Sequence, residues 1–216
     1  MKKKTYNTII LITIAVIMTC CFSACGNPDP SKAAKTASAE DEAAKETTEE
    51  KNNEEDLSTN QKKAIEEAQS YLESSGFSKA GLIDQLSGEA GSNYPEEDAI
   101  FAVEYLEANG EVDWQEQAVR KAESYLDSFS FSRDGLIDQL SKENGCQFTE
   151  EEAVYAVDYL EANDLVDWNE QAVKDAESYL EFGQFSKEQL IEQLSSEYGS
   201  KFTYEQAEYA VSQVFD

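Results

Sequence analysis

Apolar residues between positions 118 and 126 recur with the spacing of one face of an α-helix. At positions i, i+1, i+4, i+7 and i+8 stand Ala118, Val119, Ala122, Tyr125 and Leu126. Upstream, Asp113 and Glu116 have the spacing of an N-cap residue and its N3 partner, and so do Asp167 and Glu170. The pattern therefore predicts an amphipathic first helix that opens on Trp114.

A shorter second helix is predicted to begin after Ser132, whose hydroxyl can cap the first amides. Phe131 and Leu136 have the spacing of a hydrophobic staple across its first turn. The predicted buried face consists of Leu136, Ile137 and Leu140. Gly145 follows this helix, and we expect it to be a left-handed C-cap.

A third helix is predicted to start at a capping box formed by Thr149 and Glu152. Its predicted buried face consists of Ala153, Ala156, Val157 and Leu160. At the equivalent place upstream stands Pro95, which also suits the start of a helix. The segment therefore folds as three helices joined by short turns.

The same pattern occurs three times at an interval of 54 residues, without a gap. Coinciding positions include Tyr71, Tyr125 and Tyr179; Gly91, Gly145 and Gly199; and Trp114 and Trp168. Self-similarity at a fixed period marks a supersecondary unit copied in tandem. We predict an all-α fold of three trihelical, helix-turn-helix-like repeats at residues 59–114, 115–168 and 169–216. The last is shortened, because it lacks the segment that ends in tryptophan in the others.

The N-terminus has the three parts of a bacterial lipoprotein signal peptide, predicted at residues 1–24. Three lysines precede a short apolar run, 8–22, which is shorter than the roughly 20 apolar residues of a membrane span. Small residues then precede Cys25, as in a lipobox, although Phe22 stands where leucine is usual. We expect Cys25 to carry a diacylglycerol. Cys20 and Cys21 are rival positions inside the apolar run, and an uncleaved anchor is the alternative.

Residues 25–58 are predicted to be a disordered acidic tether. They are rich in alanine, glutamate, lysine, threonine and serine, so they can bury too little apolar surface to offset their chain entropy. A coil of this length spans about 30 Å. We therefore expect the repeats to stay close to the outer face of the membrane.

Acidic residues outnumber basic ones 45 to 17, which gives a formal charge of -28. Such a chain repels phosphate backbones, so nucleic-acid binding is not expected despite the trihelical shape. Histidine is absent, no EF-hand loop occurs, and the recurring serines are explained as helix caps. We expect no enzyme activity, no metal and no cofactor besides the lipid. Cys146, which replaces a serine of the other copies, is interpreted as a tolerated half-buried thiol.

Aromatic residues on the third helix of each repeat are candidates for partner binding. They are Phe101, Tyr105, Tyr155, Tyr159 and Tyr209. They lie beside the predicted buried stripe, so they could pack against the first helix of the next copy. Alternatively, they could line an exposed groove, since tyrosine is favoured at protein interfaces.

The signal with its lipobox, the acidic tether and the repeat pattern YL…FS…GLI.QL…G..F..EEA.YAV.YL…VDW together resemble the Ltp family. These are host cell surface-exposed lipoproteins of Gram-positive bacteria and their prophages. The resemblance implies tandem trihelical modules, lipidation at Cys25 and no catalytic residues. It also implies superinfection exclusion, in which the anchored protein stops an incoming phage from delivering its DNA.

Two functions are therefore expected from the sequence. The first is phage exclusion from the extracytoplasmic face of the membrane, with a phage tail or injection component as the protein partner. The second is a general envelope interaction module that binds a wall or secreted protein of the host. In both, the contact with the membrane is made through the lipid anchor.

Overall fold

A computed structural model describes residues 57–215, and within this range the chain forms nine α-helices and no strand. The helices of the first repeat are α1 (Thr59–Ser74), α2 (Lys79–Ser87) and α3 (Glu96–Ala108). Those of the second are α4 (Trp114–Ser128), α5 (Arg133–Ser141) and α6 (Glu150–Ala162). Those of the third are α7 (Trp168–Phe182), α8 (Lys187–Ser195) and α9 (Tyr204–Val214). The predicted all-α fold of three trihelical repeats is confirmed, while the signal peptide, Cys25 and most of the tether lie outside the described residues.

The predicted helix starts are confirmed by their capping hydrogen bonds. The Ser132 hydroxyl accepts from the amide of Gly135, at N3 of α5. Thr149 and Glu152 form the reciprocal capping box at the start of α6. The Asp113 carboxylate accepts from the first amides of α4, so Trp114 opens that helix as predicted. Each of these caps satisfies amides that lack a partner within the helix.

Each repeat encloses its own buried cluster. A pair of fully buried leucines from the second helix anchors every cluster: Leu82 and Leu86, Leu136 and Leu140, Leu190 and Leu194. Alanines and a valine of the third helix pack against them, as the periodicity predicted. Trp114 belongs to α4 but packs against the cluster of the first repeat, and its indole N–H donates to Glu107 Oε1 at 2.8 Å. The tryptophan therefore connects the core of one repeat to the first helix of the next.

The prediction of a left-handed C-cap at Gly145 is wrong. The left-handed residue of this turn is Gln147, with φ 59°, and its counterparts Asn93 and Lys201 have φ 55° and 60°. Gly145 is required for another reason, because a Cβ placed there would lie 2.1 Å from the carbonyl oxygen of Gln139. The glycine thus permits a close approach of the turn to the end of α5.

The contacts between the first and second repeats form what we call seam 1–2. The guanidinium of Arg120 donates to the carbonyls of Leu72 and Glu73, in the last turn of α1, at 2.6 and 2.8 Å. These carbonyls have no partner within their helix, and a cation is favourable at this end of the helix dipole. The Ser78 hydroxyl donates to the carbonyl of Cys146 at 2.6 Å. Seam 1–2 therefore joins helix ends and turns.

Seam 2–3, between the second and third repeats, repeats one of these contacts and changes others. Ser132 donates to the carbonyl of Ser200 at 2.5 Å, as Ser78 does at seam 1–2. Ser130 donates to Asp175 Oδ1 at 2.9 Å, and Lys201 pairs with Asp138. Both seams thus contain the contact of the cap serine. At the place of Lys201 and Asp138, seam 1–2 has a hydrogen bond from Gln147 Nε2 to Asp84 Oδ2 at 3.0 Å.

A glycine at N3 of the second helix accompanies each seam. A Cβ on Gly135 would lie 2.9 Å from the Ser132 hydroxyl oxygen and 3.5 Å from the Ser200 carbonyl of the next repeat. In the third repeat this position holds Gln189, whose side chain instead accepts from the amide of Ser186 at 2.9 Å. In the third repeat the glutamine side chain therefore forms a capping box. In the first two repeats the glycine leaves room for a backbone carbonyl of the following repeat.

We expect Gly135→Gln to weaken seam 2–3 without unfolding the second repeat. The longer side chain can form the capping box seen at Gln189, but it fills the approach of the Ser200 carbonyl. Crowding of this kind costs about 1–3 kcal/mol. Hydrogen exchange should rise at residues 130–135 and 199–202, and Asp134→Gln, at an exposed neighbouring position, should leave it unchanged. Unchanged exchange in Gly135→Gln would show that the glycine does not maintain the seam.

Candidate partner-binding surface

The predicted aromatic residues lie on the third helices at the expected spacing. Phe101 and Tyr105 are neighbours on α3, with ring centroids 6.1 Å apart. Tyr155 and Tyr159 are neighbours on α6, with centroids 6.4 Å apart and nearly parallel rings. Tyr209 lies on α9. The structure thus pairs Phe101 with Tyr105 and Tyr155 with Tyr159, each pair within one repeat.

Their exposure differs between the repeats. Tyr155 and Tyr159 are each 41% exposed and Tyr209 is 46% exposed, so packing leaves a large part of each ring open to solvent. Phe101 is half-buried against the core of its repeat. Tyr105 is only 9% exposed, because it belongs to that core, against which Leu57 also packs. Tyr105 is therefore corrected from a candidate contact residue to a core residue.

Three exposed aromatic residues of the third repeat were missed by the sequence analysis. Phe182 is 75% exposed, Tyr198 is fully exposed and Tyr204 is 59% exposed. The other two repeats hold polar or small residues at these positions: Ser74 and Ser128, Ala90 and Asn144, Glu96 and Glu150. The fold does not need an aromatic ring at any of them. Departure from the repeat pattern is the sequence feature that could have identified them.

The exposed aromatic residues of the third repeat lie close to carboxylates in the sequence. Tyr204 is followed by Glu205 and Glu208, and the hydrogen bond with Glu208 raises the pKa of the Tyr204 hydroxyl. Glu197 precedes Tyr198 and is exposed. Aromatic and acidic groups together can contact apolar and cationic groups of a partner.

A second set of tyrosines recurs at one position of all three repeats and has a structural role. Tyr71, Tyr125 and Tyr179 occupy the same place in each first helix and contact Ser92, Cys146 and Ser200 at 3.1, 3.1 and 3.2 Å. In each repeat a glutamine of the second helix also donates to the tyrosine oxygen. Cys146 is half-buried at the position of the serines, as predicted. These groups connect the first helix of each repeat to its second helix and to the turn before its third helix.

The described residues offer neither a metal site nor a membrane span. No group of three or more histidine, cysteine, aspartate or glutamate residues within 57–215 is placed to hold a metal ion. None of the helices in this range is both long enough and apolar enough to cross a membrane. The candidate surface is therefore defined by its exposed rings and its charge.

Comparison with known proteins agrees with this arrangement. A family model described as host cell surface-exposed lipoprotein matches residues 59–106, 113–160 and 167–214, one match for each set of three helices. The solved structure of Ltp, a superinfection exclusion protein from the Streptococcus thermophilus temperate phage TP-J34, is 33% identical. That similarity covers 47% of this chain and 96% of the other, with a TM-score of 0.41. No curated protein matches the chain. Because the family model matches more than half of its length, the chain belongs to the Ltp family of host cell surface-exposed lipoproteins.

Proposed function

We propose that this protein is a lipid-anchored surface protein that binds a protein partner and thereby prevents an incoming phage from delivering its DNA. The observation that carries the proposal is the family match, which includes all three repeats. Superinfection exclusion is the role that the resemblance to the Ltp family implies. No catalytic step is proposed, because exclusion requires only that the partner is bound.

The anchor would place the repeats where phage DNA enters the cell. In this proposal Cys25 carries the diacylglycerol, on the extracytoplasmic face of a Gram-positive membrane. The tether predicted at 25–58 then ends where Leu57 packs against the first repeat. Two acyl chains supply the second anchoring signal that a single chain lacks. A partner that must reach the membrane, such as a phage tail or injection component, would then meet the repeats.

The exposed aromatic residues support a protein as the partner. Aromatic side chains are enriched at protein interfaces and at the positions that contribute most to binding. The formal charge of -28 opposes binding of nucleic acid. The third repeat has the largest share of these rings, so it is our candidate for the contact.

A general envelope interaction module is the second candidate function. The same exposed tyrosines and the same anchor would serve a partner in the cell wall or a secreted host protein. This alternative predicts a partner that can be crosslinked in uninfected cells. Exclusion predicts an effect that is observed only when phage is added.

The experiment that tests the proposal measures phage adsorption and phage DNA entry separately in a sensitive Gram-positive host that expresses the protein. Normal adsorption with blocked entry is the expected result. Unchanged entry across a varied panel of phages would reject exclusion and favour the envelope module.

We expect Phe182→Ser with Tyr198→Asn to reduce exclusion at least about tenfold while leaving stability unchanged. Serine and asparagine already occupy these positions in the second repeat, as Ser128 and Asn144, so the same backbone accommodates them. Loss of two exposed rings at an interface costs about 2 kcal/mol or more. Plating efficiency of the phage gives the effect on exclusion, and thermal unfolding gives the stability.

The matched control is Phe129→Ser, which removes an exposed ring from the second repeat and introduces the residue found at position 75. It should preserve exclusion. Equal loss of exclusion in both variants would contradict a specific role for the third repeat.

A further inference from the structure

One position of the first helix holds a different ionisable residue in each repeat. It is occupied by Glu67 in α1, Lys121 in α4 and Asp175 in α7. Glu67 accepts hydrogen bonds from Ser92 and Tyr94, and Lys121 lies 5.7 Å from the ring centroid of Phe77. Asp175 instead lies in seam 2–3. The same place in the fold therefore has a different electrostatic role in each copy.

Two buried acceptors on α7 lie without a hydrogen-bond partner. Asp175 accepts from Ser130 through Oδ1, but its Oδ2 has no hydrogen-bond partner. Gln171 is buried, and its Oε1 also has none. The two residues are four positions apart on α7, so their side chains lie on the same face of the helix. Leaving two buried acceptors unpaired is costly, and natural proteins rarely do so.

Protonation of Asp175 would supply a hydrogen-bond donor to this face of α7. A carboxylic acid is a donor as well as an acceptor, so a proton on Asp175 Oδ2 can be donated to Gln171 Oε1. Burial raises the pKa of the Asp175 carboxyl, and the nearby hydroxyls of Ser200 and Ser130 only partly oppose this effect. Burial and the two unpaired oxygens therefore act in the same direction, toward a proton on Asp175.

No cation lies against Asp175 on the elements that surround it within residues 57–215. The segment between α4 and α5 presents Ser130, and the turn before α9 presents Ser200. Lys201 of that turn pairs with Asp138, and Arg133 pairs with Asp158. The other charged residues of these segments and of the middle of α7 are exposed: Asp127, Glu170, Lys174, Glu177 and Glu197. An ionised Asp175 would thus keep the hydrogen bond from Ser130 but would have no cation to balance its charge.

We propose that a proton shared between Asp175 and Gln171 stabilises the closed form of seam 2–3. The contact between the second and third repeats is then most stable in acid and becomes less stable as the pH rises. When the carboxyl ionises, its proton passes to solvent and both oxygens lose their partner. Opening the seam then lets water reach them. Seam 1–2 is not expected to depend on pH in this way, because Lys121 occupies the position of Asp175 there.

The sign of the pH dependence follows from linkage. A carboxyl whose pKa is higher in the closed seam than in the open one stabilises the closed form below the open-state pKa. That stability is lost as the pH rises through the closed-state pKa. For each unit by which the two values differ, closure weakens about tenfold.

The test is hydrogen exchange of the full lipidated chain in detergent, from about pH 4, near the ordinary pKa of an aspartate carboxyl, to about pH 8. Exchange rates are corrected for their intrinsic dependence on pH. We expect the protection of residues 130–135 and 199–202 to fall as the pH rises. Residues 76–81 and 145–148, at seam 1–2, are the internal control and should not change.

Asp175→Asn provides the matched variant. Its amide can donate to Gln171 Oε1 while its oxygen accepts from Ser130, so it imitates the protonated carboxyl without titrating. We expect seam 2–3 of this variant to stay protected at every pH, and to exceed the wild type about tenfold or more at the alkaline end. Circular dichroism confirms that all helices are retained.

Two results would overturn the proposal. If the Gln171 amide were reversed, its N–H would pair with an ionised Asp175, and wild-type protection would not fall with pH. If Asp175→Asn were less protected than the wild type across the whole range, the negative charge itself would be holding the seam. Either result leaves the proposed exclusion function intact, because that function is measured by phage DNA entry.

Discussion

We expect Cys25→Ala to accumulate as an unprocessed precursor that takes up no lipid and excludes no phage. Without the thiol no diacylglycerol can be attached, and each buried methylene of an acyl chain contributes about 0.8 kcal/mol to anchoring. The repeats fold as before, since their clusters lie within residues 57–215. Labelling with a radioactive fatty acid, gel mobility and phage DNA entry measure the three effects.

The control is a double variant, Cys20→Ser with Cys21→Ser, which removes the rival thiols and keeps Cys25. It should be labelled and processed normally. Normal labelling of Cys25→Ala would reject lipidation at this residue. If labelling were lost but exclusion were not, Cys25 would still be the lipidated residue, but exclusion would not require the lipid anchor.

We expect Gly145→Ala to lower the free energy of unfolding of the second repeat by about 2–3 kcal/mol, the upper part of the range for overpacking. The new methyl group would lie 2.1 Å from the Gln139 carbonyl oxygen, so the turn must move away from the end of α5. That movement displaces Cys146, whose carbonyl accepts from Ser78 across seam 1–2. Urea unfolding followed by tryptophan fluorescence measures the loss.

Asn144→Ala is the control, because it adds no atom next to a backbone carbonyl in the same turn. It should change stability by less than about 0.5 kcal/mol, as surface substitutions usually do. If Gly145→Ala also changed the free energy of unfolding by less than about 0.5 kcal/mol, the turn would be able to move away from α5 without a loss of stability. The close approach would then not be the reason for a glycine in all three repeats.

The helices and their starts could be predicted because the features that determine them are local. The Ser132 cap depends on residues within one turn, and the apolar spacing of α4 is visible in a single sequence. The period of 54 residues then identified the repeats without structural information. These features do not depend on how one repeat contacts another.

The surface could be predicted only in part, because burial depends on residues distant in the sequence. Tyr105 and Tyr159 occupy the same position of the repeat, yet the first lies in a core and the second is exposed. The role of Gly145 was mistaken for a similar reason. A glycine that permits a close approach and a glycine that adopts a positive φ have the same appearance in a sequence.

The separate cores of the repeats have a consequence for how this gene can change. Because the cores are separate and each tryptophan packs on the core that precedes it, removing or adding one period of coding sequence preserves every core. Only the seams change partners, and the cap serine that both seams use is present in each copy. Recombination between the repeats can therefore lengthen or shorten the array without a loss of folding. The number of modules is therefore a property that can change without altering the fold of any one module.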